Sequence, residues 1–210
     1  CSCVIKPAEE TPATAIELAR ACVDAGLPAG ALNVVFGVPA EVSGFLIRSP
    51  VIRKVSFTGS IAVGKELAAM AASHGLKRCT LELGGHAPVL VFDDADVDKA
   101  AAACAAGRFR NAGQVCIAPN RFYVHENVVQ RFTDGMVAAA KALVLGDSQD
   151  PATTIGPLTL ASQRERIEAL CQEAISDGAR CLTGGRRPAN RNKGYFFEPT
   201  VLADVPDTTR

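Results

Sequence analysis

Cys116 stands in a setting that suits a nucleophile. It follows Gly113 and Gln114 just past an alanine-rich segment and precedes Pro119. A thiolate can attack a carbonyl carbon, and reactive cysteines lie in partly exposed places such as loops at helix ends. Considered alone, Cys116 can also be a core or bystander cysteine. No histidine is near it in sequence, and neither His86 nor His125, which could pair with it in space, stands in a recognisable setting.

A carboxylate closes an apolar strand and is a second candidate for chemistry. In the segment 79–83, alternation places Cys79, Leu81 and Leu83 on one face and Glu82 on the other, and two glycines follow. We expect Glu82 to be partly desolvated, which would raise its pKa toward the range of a general base. A salt-bridged or solvent-facing glutamate is the alternative.

Residues 57–64 and the end of the first strand suggest a nucleotide site. A strand leads through Gly59 and Ser60 into a helix, and backbone N–H groups at such a turn suit a pyrophosphate. The G-x-x-x-x-G spacing is neither the usual dinucleotide fingerprint nor a P-loop, so a tight turn alone also explains it. Lys6 and Glu9 could hydrogen-bond ribose hydroxyls, or they could belong to a solvated helix entry.

These residues need a scaffold, and the pattern of residues 3–92 predicts strands alternating with helices. This order is typical of an α/β fold with a parallel sheet, whose ligands bind where strands end and helices begin. Gly84-Gly85 is the predicted boundary between domains 1–84 and 85–210. The predicted strands cover 3–5, 32–36, 54–57, 79–83, 88–92, 121–125, 179–182 and 196–202. The first predicted helix begins at Pro12, and Thr11 is its predicted cap. The other predicted helices cover 39–48, 61–72, 95–108, 128–143 and 160–176, and Asp94 is the predicted cap of the helix 95–108.

Composition excludes several classes of function. The 210 residues carry 22 basic and 22 acidic side chains without a basic run, so a nucleic-acid footprint is absent. No apolar run reaches the length of a membrane span. The eight cysteines do not cluster with the histidines, which argues against a metal site and favours a reducing, cytoplasmic setting. The chain begins on Cys1 without Met, and we interpret it as an internal piece of a longer protein.

Five motifs in order resemble the aldehyde dehydrogenase superfamily, and within it the succinate-semialdehyde dehydrogenases. The resemblance covers nearly the whole chain, including the 34 residues that separate Glu82 from Cys116. It implies an aldehyde-dehydrogenase-like α/β fold. Residues 1–84 would form part of the NAD-binding domain, with part of its Rossmann-like parallel sheet, and residues 85–210 would form most of the α/β catalytic domain that carries the cysteine nucleophile. The motifs are KPAEETP at 6–12, GLPAG at 26–30, FTGS at 57–60, ELGG at 82–85 and GQVC at 113–116.

The resemblance also implies a role for each matched residue. Cys116 would attack the aldehyde to form a thiohemiacetal, and after hydride transfer Glu82 would activate the water that hydrolyses the thioester. The residues implied in cofactor binding are Lys6 and Glu9 at the adenosine ribose, Gly59 and Ser60 at the phosphates, and Leu83 and Gly84 near the nicotinamide. Glu9 favours NAD over NADP, because a carboxylate repels a 2′-phosphate, although NADP stays possible.

Arg110 matches the position where succinate-semialdehyde dehydrogenases hold the substrate carboxylate, so succinate semialdehyde is the expected substrate. The family's oxyanion-hole asparagine and the glutamate that binds the nicotinamide ribose would lie outside this chain, so we expect the piece alone to be inactive and the full-length enzyme to be a homo-oligomer. The alternatives are another aldehyde, a coenzyme-A-acylating dehydrogenase, a cysteine hydrolase, or a non-catalytic protein on the same fold.

Overall fold

The computed structural model describes residues 1–191 and 193–209. The chain forms two compact units, Cys1–Gly84 and Gly85–Arg210. The division falls between the two glycines of the predicted boundary, while the assignment of a cofactor role to one unit and a catalytic role to the other stays a prediction. Within the described ranges, no helix is long and apolar enough to cross a membrane.

The first unit alternates strands and helices, as the sequence pattern predicts. Its strands pair in parallel as two separate two-stranded sheets, and a helix provides the crossover within each pair. The pairs are β1 with β2 and β3 with β4. The elements are β1 (Cys3–Ile5), α1 (Pro12–Asp24), β2 (Leu32–Val34), α2 (Pro39–Arg48), β3 (Lys54–Gly59), α3 (Ile61–Ser73) and β4 (Arg78–Leu83).

The core of the first unit lies among α2, α3 and the β3–β4 pair. Ile47, Leu67 and Ala71 are buried, and the inward residues of the two strands pack around them. Helix α1 buries none of its residues, although its sequence is amphipathic, and Leu18 and Val23 are 59% and 68% exposed. Its apolar face is therefore only partly covered in the described part of the chain.

The second unit contains one parallel and one antiparallel strand pair. Its main core joins β5, α4 and α5 through Val91, Ala101, Phe132 and Met136. The β5–β6 pair is parallel, whereas β7 and β8, which lie beyond the region predicted to form a parallel sheet, pair antiparallel. The elements are β5 (Val89–Val91), α4 (Val97–Phe109), β6 (Phe122–Val124), α5 (Val129–Lys141), α6 (Ala161–Ser176), β7 (Arg180–Thr183) and β8 (Val201–Ala203).

Three local predictions need correction. Asp96, not Asp94, caps α4, because its carboxylate accepts the Lys99 N–H at 3.3 Å. Thr11 stands at the N-cap position of α1, but its side chain makes no capping hydrogen bond. The last strand covers only Val201–Ala203 and not 196–202. Pro199 interrupts that segment, and a proline has no N–H to donate to a strand ladder.

Helices α4 and α5 pack closely because small residues face each other. A Cβ atom built on Gly135 would lie 2.8 Å from the Cβ of Ala101, which is only 1% exposed. Glycine at this position therefore lets the two helix backbones approach. An exposed ion pair between Arg131 and Asp98 joins the same helices at their surface, where such pairs contribute little to stability.

Candidate functional site

The carboxyl end of the β3–β4 pair gathers most of the predicted cofactor residues. In the parallel register Thr58 lies opposite Glu82 and Gly59 lies opposite Leu83. Ser60 follows directly and starts α3. The two motifs FTGS and ELGG thus end at one edge of the sheet, the edge at which ligands bind in parallel α/β folds.

Ser60 caps the helix whose N-terminus would face a phosphate. Its hydroxyl oxygen accepts the Val63 N–H at 3.3 Å, and the residue itself is exposed. The N–H groups of the first helical turn and the helix dipole make such an end attractive to an anion. The hydroxyl of Ser60 already satisfies one of these N–H groups.

Gly59 at the turn and Gly64 in α3 both lie where a larger side chain would not fit. A side chain on Gly59 would collide with the ring of Phe57, which folds over it. A Cβ atom on Gly64 would lie 2.7 Å from the Cδ2 atom of Leu83, so glycine allows α3 to settle on β4. Neither glycine has a positive φ. The need for glycine at these two positions is therefore steric. A tight turn without a bound nucleotide would have the same need, so the glycines alone do not indicate a nucleotide site.

Glu82 is exposed, so the expected desolvation is wrong for this structure. The alternation of β4 buries one side of the strand partly and turns Glu82 to the other side, toward solvent. Gly84 and Gly85, which follow it, are also exposed and have open space where a side chain would stand. The role of Glu82 as the base stays a prediction.

Lys6 and Glu9 are brought together just beyond β1. The Lys6 Nζ atom lies 2.6 Å from Glu9 Oε2 and also donates to the Pro7 carbonyl oxygen at 2.8 Å. The hydrogen bond from Lys6 is the main cause that holds the pKa of Glu9 below its ordinary value. Glu9 is therefore an ionised carboxylate at neutral pH. Such a group can accept hydrogen bonds from two ribose hydroxyls and would repel a 2′-phosphate.

In the second unit, Cys116 lies in a loop that we call the Cys116 loop, residues 110–118. Helix α4 ends at Phe109, and Asn111, Ala112 and Gly113 then adopt left-handed φ angles of 52°, 54° and 73°. The loop returns to the protein at Ala118, which is buried and donates its N–H to the Val115 carbonyl oxygen at 3.0 Å. Cys116 stands between these two anchored parts and is exposed.

Two arginines flank the end of α4 and differ in their surroundings. The guanidinium of Arg108 occupies the space that a side chain on Gly113 would need, and burial lowers the pKa of Arg108. Arg110, the predicted substrate anchor, is exposed. Arg108 thus packs against the backbone of the Cys116 loop at Gly113, whereas Arg110 is accessible to an anion in solution.

The histidines of the second unit have partners other than Cys116. His86 Nδ1 lies 3.1 Å from Asn120 Oδ1, and the backbone of Asn120 also bonds to the carbonyl oxygen of His86. His125 Nδ1 accepts the Asn127 N–H at 3.3 Å. In the described residues, neither ring is hydrogen-bonded to the thiol. The cysteine-hydrolase alternative, which needs a histidine base, therefore gains no support.

Sequence reasoning missed three residues that hold the Cys116 loop. Asn111 and Gln114 bond to each other through side chains and backbone, and Gln114 also accepts the Thr159 N–H at 3.0 Å. The only sequence signal was an amide side chain on either side of a glycine turn. Nothing in the local pattern pointed to Thr159, which is 45 residues from Gln114 in the chain.

Comparison with known proteins gives a consistent family. A family model described as "Aldehyde dehydrogenase family" matches residues 1–210. The chain is 44% identical over 206 residues to "Succinate-semialdehyde dehydrogenase [NADP(+)] GabD" of Escherichia coli K12, covering 98% of this chain and 42% of that protein. It is 45% identical over 206 residues to "4-(hydroxymethyl)benzenesulfonate dehydrogenase TsaD1" of Comamonas testosteroni, with the same two coverages.

A solved structure supports the fold over the full chain. The crystal structure of an NAD-dependent aldehyde dehydrogenase from Sinorhizobium meliloti superposes with a TM-score of 0.95 at 37% identity. It covers 100% of this chain, which in turn covers 41% of that protein. The two units therefore have the α/β architecture of these enzymes, and the chain spans about two fifths of the length of the relatives it matches.

Proposed function

This chain belongs to the aldehyde dehydrogenase family, and from this premise we propose that the full-length protein oxidises an aldehyde to a carboxylic acid with a nicotinamide cofactor. By full-length protein we mean a chain of its relatives' length that contains these 210 residues. The observation that carries the proposal is Cys116, which is exposed on an anchored loop and belongs to the GQVC segment that resembles the family's nucleophile motif.

Cys116 does the covalent chemistry in this proposal. Its thiolate attacks the aldehyde carbon to form a C–S bond, and the resulting oxyanion is a thiohemiacetal. Loss of hydride from that carbon leaves a thioester. Glu82 accepts a proton from water, whose oxygen attacks the thioester carbon, and the C–S bond breaks to release the acid and the thiolate. Among the described residues the N–H of Cys116 has no acceptor, so it can donate to the oxyanion.

The cofactor residues fit a dinucleotide in their chemistry. Bound NAD or NADP would supply the acceptor for the hydride. Lys6 and Glu9 offer a cation and an ionised carboxylate to the adenosine ribose, and the exposed start of α3 at Ser60 offers N–H groups to a phosphate. Leu83 and Gly84 would lie near the nicotinamide. The carboxylate of Glu9 favours NAD, since it would repel the extra phosphate of NADP.

We infer that the substrate is an aldehyde that carries an anionic group at its far end, and succinate semialdehyde is the leading candidate. The exposed guanidinium of Arg110 lies six residues before Cys116 and can bind a carboxylate through two N–H groups. The two relatives above are named for a substrate with a carboxylate and for one with a sulfonate. A guanidinium accommodates both anions, so Arg110 would select for charge more than for carbon skeleton.

Absorbance at 340 nm with the full-length protein, NAD and succinate semialdehyde tests this function. We expect NADH to form, a higher kcat/KM with NAD than with NADP, and complete loss of activity in Cys116→Ser. Cys181→Ser, which changes another exposed cysteine, is the matched control and should keep its activity. Absence of NADH from the unaltered protein, or an active Cys116→Ser, would overturn the proposal. Acid formation only with added coenzyme A would support the acylating alternative.

A further inference from the structure

Resting on the function proposed above, we propose that Gln114 is a positioning residue that holds Cys116 in its reactive place by linking the Cys116 loop to the segment before α6. The inference concerns a side chain that touches neither substrate nor cofactor in the proposed mechanism. It acts through the backbone of the loop on the thiol two residues further along the chain.

The loop needs such support because its backbone is strained. Asn111 and Ala112 are left-handed without being glycine, and this conformation is sterically unfavourable for a residue such as alanine. Strained residues of this kind persist only when the surrounding structure fixes them. Without fixed partners, the turn would relax toward ordinary backbone angles and would move Cys116.

The side chain of Gln114 supplies bonds in two directions. Its Nε2 atom donates to the Asn111 carbonyl oxygen at 3.1 Å, across the strained turn. Its Oε1 atom accepts the Thr159 N–H at 3.0 Å. The backbone N–H of Gln114 also donates to the Asn111 carbonyl oxygen at 3.1 Å, and Asn111 Nδ2 donates back to the Gln114 carbonyl oxygen at 3.2 Å.

The distant partner is itself fixed. Leu158, next to Thr159, is 6% exposed, and its N–H donates to the Tyr195 carbonyl oxygen at 3.1 Å in an antiparallel bridge. The Thr159 N–H is therefore presented by a backbone that is anchored in the second unit. Gln114 transfers that anchorage to the part of the Cys116 loop between its left-handed turn and Cys116.

The chemistry of an amide explains why glutamine is suited to this position. One end of the group donates and the other accepts, as the carbonyl oxygen of Asn111 and the N–H of Thr159 require. A glutamate has the same shape and can still accept from Thr159, but it cannot donate to Asn111 at neutral pH. Gln114→Glu therefore removes one arm of the link, and Gln114→Ala removes both.

Hydrogen exchange of the full-length protein, followed by mass spectrometry without substrate or cofactor, separates the two arms. In Gln114→Glu we expect the segment 110–118 to exchange about 2- to 10-fold faster, as the loss of one hydrogen bond implies, and the segment 156–160 to stay unchanged. In Gln114→Ala both segments should lose protection. Gln172→Glu, an exposed position on α6, is the matched control and should change neither.

Kinetics then test the consequence for the reaction. Displacement of a nucleophile by about 1 Å can lower a rate about 100-fold, so kcat of Gln114→Ala should fall by about 10- to 100-fold while KM for NAD stays unchanged. Unchanged exchange at 110–118 in both variants, or unchanged kcat, would overturn the role of Gln114. If the unaltered protein forms no NADH, the proposed function fails, whereas the exchange experiment still decides whether the link exists.

Discussion

At the scale of single residues, the surroundings decide what each charged group can do. Arg108 and Arg110 are two positions apart, yet one packs under Gly113 and the other faces solvent. Glu9 is paired with Lys6, while Glu82 has an exposed carboxylate at the end of β4. The two members of each pair have the same side chain, so residue type alone would predict the same role for both. Their neighbours distinguish a side chain that packs against the protein from one that can bind a ligand.

Arg110 gives the first prediction at this scale. In the full-length enzyme, Arg110→Ala should raise KM for succinate semialdehyde far more than KM for an uncharged aldehyde of similar length, because only the first loses a charge-assisted hydrogen bond, which contributes about 1.5–3 kcal/mol. Initial rates with both aldehydes measure this difference. Arg166→Ala, an exposed arginine on α6, is the control. Equal losses on the two aldehydes would remove Arg110 from the role of substrate anchor.

At the scale of helices and strands, much of the structure follows from the sequence pattern. Helix α2 has the predicted bounds, because Pro39 and the residue before Pro50 delimit it on both sides. The cap of α4 was harder to predict, since Asp93, Asp94 and Asp96 all suit an N-cap and only the phase of the helix selects one of them. Strand β8 was predicted too long because apolar residues continue on both sides of Pro199.

The candidate site was predictable only as far as its motifs are local. The strand–turn–helix at Gly59 and the loop at Cys116 follow from short sequence segments. The left-handed angle of Ala112 does not, because alanine avoids this conformation in isolation. The bond between Gln114 and Thr159 joins segments far apart in sequence. The exposure of Glu82 depends on what covers the strand, which alternation alone does not reveal.

The contact between α4 and α5 gives a prediction at this scale. Ala101→Leu should lower the free energy of unfolding by about 1–3 kcal/mol, because the larger side chain cannot fit against Gly135 without separating the helices. Thermal or denaturant unfolding of the full-length protein measures the change. Ala102→Leu, at the neighbouring exposed position of α4, is the control and should have little effect. Equal stabilities of the two variants would contradict the close packing described here.

At the scale of the whole chain, the surface of the first unit is notably apolar. A groove of about 400 Å³ lies between α1 and β2, and two charged residues, Arg20 and Asp24, complete a lining that is otherwise apolar: Ile16, Ala19, Val23, Val34 and Phe36. Phe45 on α2 and Val51 are also more than three quarters exposed. Contiguous apolar surface of this kind promotes association between molecules, and the unpaired edges of two-stranded sheets do the same.

We therefore expect the 210-residue chain by itself to associate. Sedimentation velocity over a range of concentrations should reveal species larger than one chain. Phe36→Ser, within the groove, should reduce association more than Leu76→Ser, which changes an exposed leucine outside it. A strictly monomeric chain at all concentrations, or equal effects of the two changes, would contradict the role of the groove.

The left-handed alanine in the Cys116 loop has a consequence for protein engineering. Replacing Ala112 with glycine would relieve about 1–2 kcal/mol of backbone strain, so a screen for heat resistance should favour that exchange. Glycine would also widen the range of angles open to the turn. Selection for a higher melting temperature at this position would thus make the position of the Cys116 thiol less well fixed. Melting temperature and catalytic activity should therefore be screened together.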